Sequence, residues 1–499
     1  MRELPRPIPL DDILAAPGHP ALRPTVTGDL PPRAADVLTV VDLDAGSQDP
    51  QYAARALAAA TRLTVGVARR PWQPALQQVV DALTLTVVQA PEAGTAPDWP
   101  PRTARSHIHV PDPYAEAARI TAAVERTPRA ALALAHLLRI NARLLTTAAD
   151  ASTNTSTGTG AGTDAHNTTD PAPGPIADAL TAESLTYSAL LAGPEFAAWR
   201  AGRPFRPKPA VPPDAVLLTR DGDRLRITLN RPDRRNALGH GLRDALIDAL
   251  DVVAADPALH AELRGAGTAF CSGGDLDEFG TAADPATAHV VRVARSAGLA
   301  LHAVRDRVTP YLHGACVGAG IEVPAFAARV LADPNAWFRL PELDLGLVPG
   351  AGGTVSITAR IGRWRTAWLV LTGERLAAAT ALEWGLVDGL IDAAPPPPHP
   401  GHRRPSTPLL DVLARMRELI VLPGNDFAWS GWDDAAEALE EFDTLVAAIE
   451  RGGRPSDMRV LFLPTGPLQE LSLSSGWGTR YCELAAEFDR LFAAAPPET

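Results

Sequence analysis

Short apolar runs spaced by amphipathic stretches dominate the first third of the chain. Val37 to Val41, Leu63 to Val67 and Leu83 to Val88 read as buried strands, with helical periodicity between them. Strands alternating with helices predict an α/β layer of βαβ units. Apolar residues then recur at three and four over Tyr114 to Glu125 and Ala130 to Leu145, which predicts two helices. The stretch 148–175 has no periodicity and too few apolar residues to bury, and is expected to be disordered. An Ala/Leu-rich helix is predicted at Ala179 to Leu191. The prolines closing GPEFAAWRAGRPFRPKP place a domain boundary near residue 212.

A second pattern begins with the pair Val216 to Thr219 and Leu225 to Leu229 around Asp221-Gly222-Asp223, a hairpin signature. Helices are predicted from about Gly241 to Ala254 and over Ala286 to Arg305. Strands are predicted at Leu259 to Arg264 and around Tyr311, and helical character returns at Arg375 to Gly385. Pro395 to Pro408 reads as a stiff polyproline spacer. Leu409 to Leu419, Asp433 to Ile449 and Tyr481 to Ala493 then predict a helical C-terminal region.

Composition bounds the function. A length of 499 residues suits two domains or two plus an extension. The predicted division is 1–147 with 176–212, a 148–175 insert, 213–394, a 395–408 spacer and 409–499. A net charge of -12 argues against general nucleic-acid binding. No run approaches the roughly 20 apolar residues of a membrane span, and MRELPRPIPLDD lacks a signal-peptide core. These features predict a cytoplasmic protein with no membrane partner. Cys271, Cys316 and Cys482 are too scattered for a disulfide framework or a zinc site. The sequons at Asn154 and Asn167 fall in a Thr-rich stretch and read as chance matches.

The chemistry concentrates between Pro310 and Thr354. There HGACVGAGIE runs a strand through small residues into a helix start, which leaves the first amides of that helix free to hold an anion. Ala319 is the candidate donor, and Glu322 can face the same cavity one turn on. FCSGGD, Phe270 to Asp275, repeats the arrangement, with Gly273 and Gly274 as an anion nest and Gly274 as a second donor. Two amides on one carbonyl oxygen make an oxyanion hole. A further carboxylate, Glu342, lies in LPELDLGLVPGAGG. Cys271 has no base at readable spacing and reads as a buried small residue. Trp337, Trp364, Trp368, Trp384 and Trp477 read as core or acyl-pocket lining.

Five segments in order, LRITLNRPDRRNAL (225–238), AFCSGGDLDEF (269–279), HGACVGAGIEV (313–323), LPELDLGLVPGAGGT (340–354) and RIGRWRTAWLVLTGERLAAATALEWGLVD (360–388), resemble the enoyl-CoA hydratase/isomerase family, the crotonase superfamily, over residues 214–392. The resemblance implies an α/β fold, a repeated ββα superhelix with a helical tail, assembled as trimers or pairs of trimers. It places the oxyanion amides on Gly274 and Ala319 and the catalytic carboxylates on Glu322 and Glu342. It implies that Arg234, Arg235, Ala237, Ser272, Gly273, Asp275, Leu276 and Gly318 hold an acyl-CoA, with no separate cofactor or metal. Two positions depart from the family pattern: Ala319 stands where glycine is common, and His313 where asparagine is common.

Both carboxylates together favour hydration of an enoyl-CoA. Isomerisation, thioester hydrolysis, cofactor-free oxygenation and a non-catalytic CoA-binding scaffold are the alternatives. The preceding α/β region carries none of these motifs. Its ending, AESLTYSALLAGPEFAAWRAGRPFRP (182–207), faintly resembles the close of a crotonase domain, so a degenerate crotonase-like half is the expectation there, against an unrelated α/β cap.

Overall fold

The computed structural model describes residues 7–15, 18–25, 32–70, 72–91, 104–154, 174–203, 214–391, 408–422, 425–427, 432, 434–450, 456–462 and 466–494. Residues up to Ala394 form one compact unit and those from Pro395 a second. The first unit begins with a five-stranded, all-parallel sheet in chain order: Ile8–Pro9, Leu38–Asp42, Leu63–Ala68, Leu85–Gln89 and Ile108–Val110. Every residue of its central strand, Leu63–Ala68, is buried, as a parallel strand covered on both faces requires. The helices Pro113–Arg126, Pro128–Asn154, Pro175–Leu191 and Pro194–Ala201 follow, each opened by a proline, which needs no amide partner in a first turn. Helix Pro128–Asn154 carries regular structure seven residues into the stretch read as disordered. Residues 155–173 of that stretch lie outside the described residues, as do most of the proline spacer and the boundary near 212.

The second sheet has six strands in the spatial order Gly389–Leu390, Leu331–Ala332, Val308–Leu312, His260–Gly265, Arg224–Leu229 and Val216–Asp221. All its pairings are parallel except the predicted hairpin at Val216–Asp221 and Arg224–Leu229. A three-stranded sheet, Ala315–Val317, Trp337–Arg339 and Leu376–Ala377, stands beside it. Side chains from both sides of residue 212, among them Leu134, Tyr187, Leu263 and Val355, pack into one core. The N-terminal helices pack on the helices of the second half: Pro128–Asn154 and Pro175–Leu191 lie against Gly353–Thr372, and Pro175–Leu191 also against Pro285–Ala294.

Two elements differ from the sequence reading. The stretch 286–305 is not one helix but two, Pro285–Ala294 and Ala297–Ala303, because the Ser296 hydroxyl accepts from the Leu299 amide at 3.2 Å and starts a new helix. The helix Gly353–Thr372, bent at Gly362, was not predicted. Residues all round it are buried, so it has no amphipathic stripe to read. The C-terminal unit packs its own core of Val412, Met416, Phe442, Leu471 and Phe488, and holds two unpredicted short helices, Ser456–Leu461 and Pro467–Ser474. Among the described residues, no helix is long and apolar enough to cross a membrane.

Asn236 ties the first family-like segment to the next. Its side-chain amide donates to the carbonyls of Ala266, Ala269 and Phe270 at 2.9, 3.0 and 3.1 Å, while its oxygen accepts from the Arg231 amide at 2.8 Å. The residue is fully buried and left-handed, with φ 54°. Asn236→Ala should cost about 3 kcal/mol, because buried carbonyls lose their donor and alanine resists the left-handed conformation. Chemical denaturation of the full chain would show it as an earlier first transition.

Candidate active site

Backbone pairing brings the two glycine turns together. At the end of strand Val308–Leu312 the chain turns through Gly314, whose φ is 54° and where an added Cβ would lie 2.0 Å from the Thr268 carbonyl. Only glycine fits there. The next strand, Ala315–Val317, pairs with the FCSGGD segment: Phe270 N donates to His313 O at 3.0 Å, Cys271 N to Ala315 O at 3.3 Å, and Val317 N to Cys271 O at 3.0 Å. Both chains then leave the ladder on the same side. Gly274 and Ala319 line one cavity of about 610 Å3. Ala319 opens the helix Ala319–Glu322, so its amide has no intrahelical partner. Among the described residues neither the Gly274 nor the Ala319 amide has an acceptor in the protein. The predicted oxyanion donors are thus adjacent and available.

The two predicted carboxylates line the same cavity. Glu322 and Glu342 are 2% and 8% exposed, deep enough for burial to dominate their chemistry. Both converge on Gly318, where an added Cβ would lie 2.6 Å from Glu342 Oε1 and 3.6 Å from Glu322 Oε1. Burial pushes Glu322 up to about 7, opposed by the Ala351 and Gly353 amides, which donate to its Oε2 at 2.8 and 2.9 Å. Glu342 is raised well above the ordinary carboxylate range, first by burial and then by the charge of Glu322. Its Oε2 is buried with no hydrogen-bond partner among the described residues. One carboxyl is therefore poised near neutrality and the other favours its protonated form.

The structure adds residues that the sequence reading missed. Helix Pro175–Leu191 covers the cavity and contributes Glu183, Ser184 and Tyr187 to its wall. Tyr187 packs so closely on Gly350 that a Cβ there would lie 2.4 Å from its ring. The Arg292 guanidinium sits 4.6 Å from the ring centroid on its other side. Burial pushes the Tyr187 phenol up, so it stays neutral. The one signal available in the sequence was a glutamate and a tyrosine four apart, and so on one face, in an otherwise Ala/Leu-rich helix.

The predicted CoA-holding residues divide. Asp275 lines the cavity, yet its carboxylate, with that of Asp277, is occupied by the Arg234 guanidinium at 3.2 and 2.9 Å. Arg235 has φ 49°, and its carbonyl accepts from the Ser272 amide at 2.9 Å. Ala237 donates to the Arg234 carbonyl at 2.9 Å, and Leu276 packs on the core. Gly273 accepts from Leu238 at 2.7 Å and so holds the Gly274 turn. Arg234, Arg235, Ala237, Ser272, Gly273, Leu276 and Gly318 frame the cavity without lining it. His313 lies behind the site, with Nε2 bonded to the Gly267 carbonyl at 3.0 Å. Burial pushes the Cys271 thiol up to about 12, which keeps it protonated and unreactive. None of the five tryptophans singled out from the sequence lines the cavity. Trp368 and Trp384 pack edge to face at 5.8 Å against the core.

This geometry coincides with what sequence comparison finds. The family described as enoyl-CoA hydratase/isomerase matches residues 223–394. The 2,3-dehydroadipyl-CoA hydratase of Escherichia coli (strain K12) is 34% identical over 35% of this chain and 69% of its own length. The mevalonyl-coenzyme A hydratase SIDH of Beauveria bassiana is 33% identical over 33% of this chain and 62% of its own. A crystal structure of an enoyl-CoA hydratase from Mycobacterium smegmatis, at 30% identity, covers 35% of this chain and 69% of its own with a TM-score of 0.33. The chain belongs to the enoyl-CoA hydratase/isomerase family, with the crotonase-like α/β fold, preceded by an additional α/β region.

Gly318 sits at φ 48°, ψ -121°, where a side chain is strained, and against both carboxylates. Gly318→Ala should leave a folded protein with turnover on an enoyl-CoA lowered by about 100-fold, since it displaces Glu342 and the Ala319 amide together. A melting curve recorded beside the rate separates that outcome from unfolding.

Proposed function

We propose that the chain is an acyl-CoA hydratase that adds water across a 2,3 double bond. The observation carrying this reading is the convergence of two buried carboxyls, of different proton affinity, beside a pair of free amides. In this reading the thioester oxygen accepts from the amides of Gly274 and Ala319. They stabilise the enolate that forms as water attacks C3, and a preorganised donor of this kind contributes about 3 kcal/mol. Glu322, ionised near neutral pH, takes the proton from that water. Glu342, protonated, gives its proton to C2 as the enolate collapses. Oxygen ends on C3 and hydrogen on C2, and a proton passes from Glu322 back to Glu342 to complete the cycle. The names of both curated relatives, hydratases of two different acyl groups, support the reaction while leaving the acyl group of this chain open. The CoA portion would lie along the segments around residues 231–238 and 272–276.

Incubation with crotonyl-CoA and an aromatic enoyl-CoA, followed by mass spectrometry, should show gain of one water. An unchanged mass with a moved double bond would mean isomerisation, and loss of CoA would mean thioester hydrolysis. Glu342→Gln should lower kcat by about 100-fold or more with little change in KM, since it removes a proton donor used in the transition state. Full hydratase activity in that variant would refute the assignment. The rate should fall as pH drops through about 7, because protonation of Glu322 removes the base. A second decline is expected at high pH, where Glu342 loses its proton.

A further inference from the structure

Glu183 lies outside the family-matched residues, yet it shares the loop that holds Glu322. Four successive amides alternate between the two carboxylates. Ala351 and Gly353 donate to Glu322 Oε2 at 2.8 and 2.9 Å, while Gly352 donates to Glu183 Oε1 at 2.7 Å and Thr354 to Glu183 Oε2 at 3.0 Å. The Thr354 hydroxyl adds a bond to Glu183 Oε2 at 2.6 Å and accepts from Asn141 Nδ2 at 2.9 Å. Glu183 is 2% exposed, so water does not share in holding it. No mechanism step needs this third carboxyl, and a neutral amide side chain would offer the loop one acceptor oxygen in place of two.

We propose that Glu183 is a positioning residue that sets both the placement and the basicity of Glu322. The inference rests on Glu322 being the base. On the placement side, Glu183 fixes Gly352 and Thr354, and with them the Ala351 and Gly353 amides between, which aim at Glu322. On the charge side, two carboxylates on one buried loop disfavour joint ionisation. Glu183, pushed up to about 8 against about 7 for Glu322, keeps its proton more firmly, so Glu322 is the member of the pair that ionises first, and its basicity is set by the Ala351 and Gly353 amides that the shared loop presents to it. The other groups facing this pair support that balance. Glu342 is protonated, the Tyr187 phenol and Cys271 thiol are neutral, and Asn141 from helix Pro128–Asn154 carries no charge. From helix Pro285–Ala294, Arg292 contacts Ser184 and Ser188, and His289 contacts Ser184. Among the described residues, burial lowers the proton affinity of Arg292 and the charge of Glu183 opposes that lowering. Burial and the charge of Glu322 push Glu183 up to about 8, against the bonds from Thr354 and Gly352.

The test uses the full chain and crotonyl-CoA. Glu183→Gln replaces one acceptor oxygen by an N–H2 group, so either the Gly352 or the Thr354 amide loses its acceptor. With the loop loosened, the Ala351 and Gly353 amides hold Glu322 less well, so the acid limb of kcat/KM should move up by about one pH unit and kcat at neutral pH should fall about 10-fold, while a melting curve shows that the variant is folded. Glu183→Asp keeps both acceptor oxygens, so its limb should stay nearer to that of the unaltered protein. Thr354→Val takes a donor from Glu183 and none from Glu322, and should move the limb the same way by less. It also keeps the question answerable if Glu183→Gln does not fold. Infrared titration of the buried carboxyls should report the same shift without turnover. An acid limb that stays in place in the folded variants overturns the proposal. Glu322→Gln is run in parallel: if it retains activity, the base assignment fails, whereas an inactive Glu322→Gln beside an unshifted Glu183→Gln sinks this inference alone.

Discussion

Carboxylates held away from water by backbone amides are the feature on which this site depends. A buried glutamate tolerates ionisation only where donors replace the solvent it loses. The loop ending in Thr354 supplies four amides in succession, and two glutamates from separate helices divide them. Glu342 receives no such donors at its buried Oε2, and it correspondingly keeps its proton. Between Glu322 and Glu342, the difference in proton affinity thus follows which carboxyl faces amides. Residue type does not distinguish them.

The same economy explains the two amides, of Gly274 and Ala319, that face the cavity without an acceptor among the described residues. Amides of strands and helices are normally consumed by their own ladders. Here the parallel pairing of Cys271 with Cys316 ends before both turns; the Ser272 and Gly318 amides bond to the Arg235 and Arg339 carbonyls, and beyond them the Gly274 and Ala319 amides lack an acceptor among the described residues and share a cavity. Gly314 and Asn236 hold that pairing in place, the first by letting the chain pass the Thr268 carbonyl and the second by bonding three carbonyls of the 266–270 segment. Ala319 retains the amide that a glycine would supply, and its methyl group narrows the cavity wall.

The N-terminal region enters this picture as part of the site. Helix Pro175–Leu191 packs on the helices Pro128–Asn154, Pro285–Ala294 and Gly353–Thr372, and its Glu183 and Tyr187 meet the glycine-rich loop at Thr354 and Gly350. The cavity is therefore walled in part by residues that lie outside the family-matched segment. Its polar inner face, from Tyr187 and Arg292, gives it a chemistry of its own.

Strands such as Leu63–Ala68 and the hairpin at 216–229 were legible because burial and alternation leave a local trace. The glycine turns and Glu322 were legible because helix starts and close backbone approaches demand particular residues at particular spacings. The buried helix Gly353–Thr372 was not, since a helix covered all round shows no stripe. Nor was Glu183, whose partners lie 169 and 171 residues further along the chain. The sequence alone determined the α/β class and the two turns and two carboxylates that come to line one cavity, all set by local chemistry. Tertiary structure decided which carboxyl is amide-bound, which arginine is already paired, and that a third glutamate shares the loop, because those depend on contacts between segments far apart in the chain.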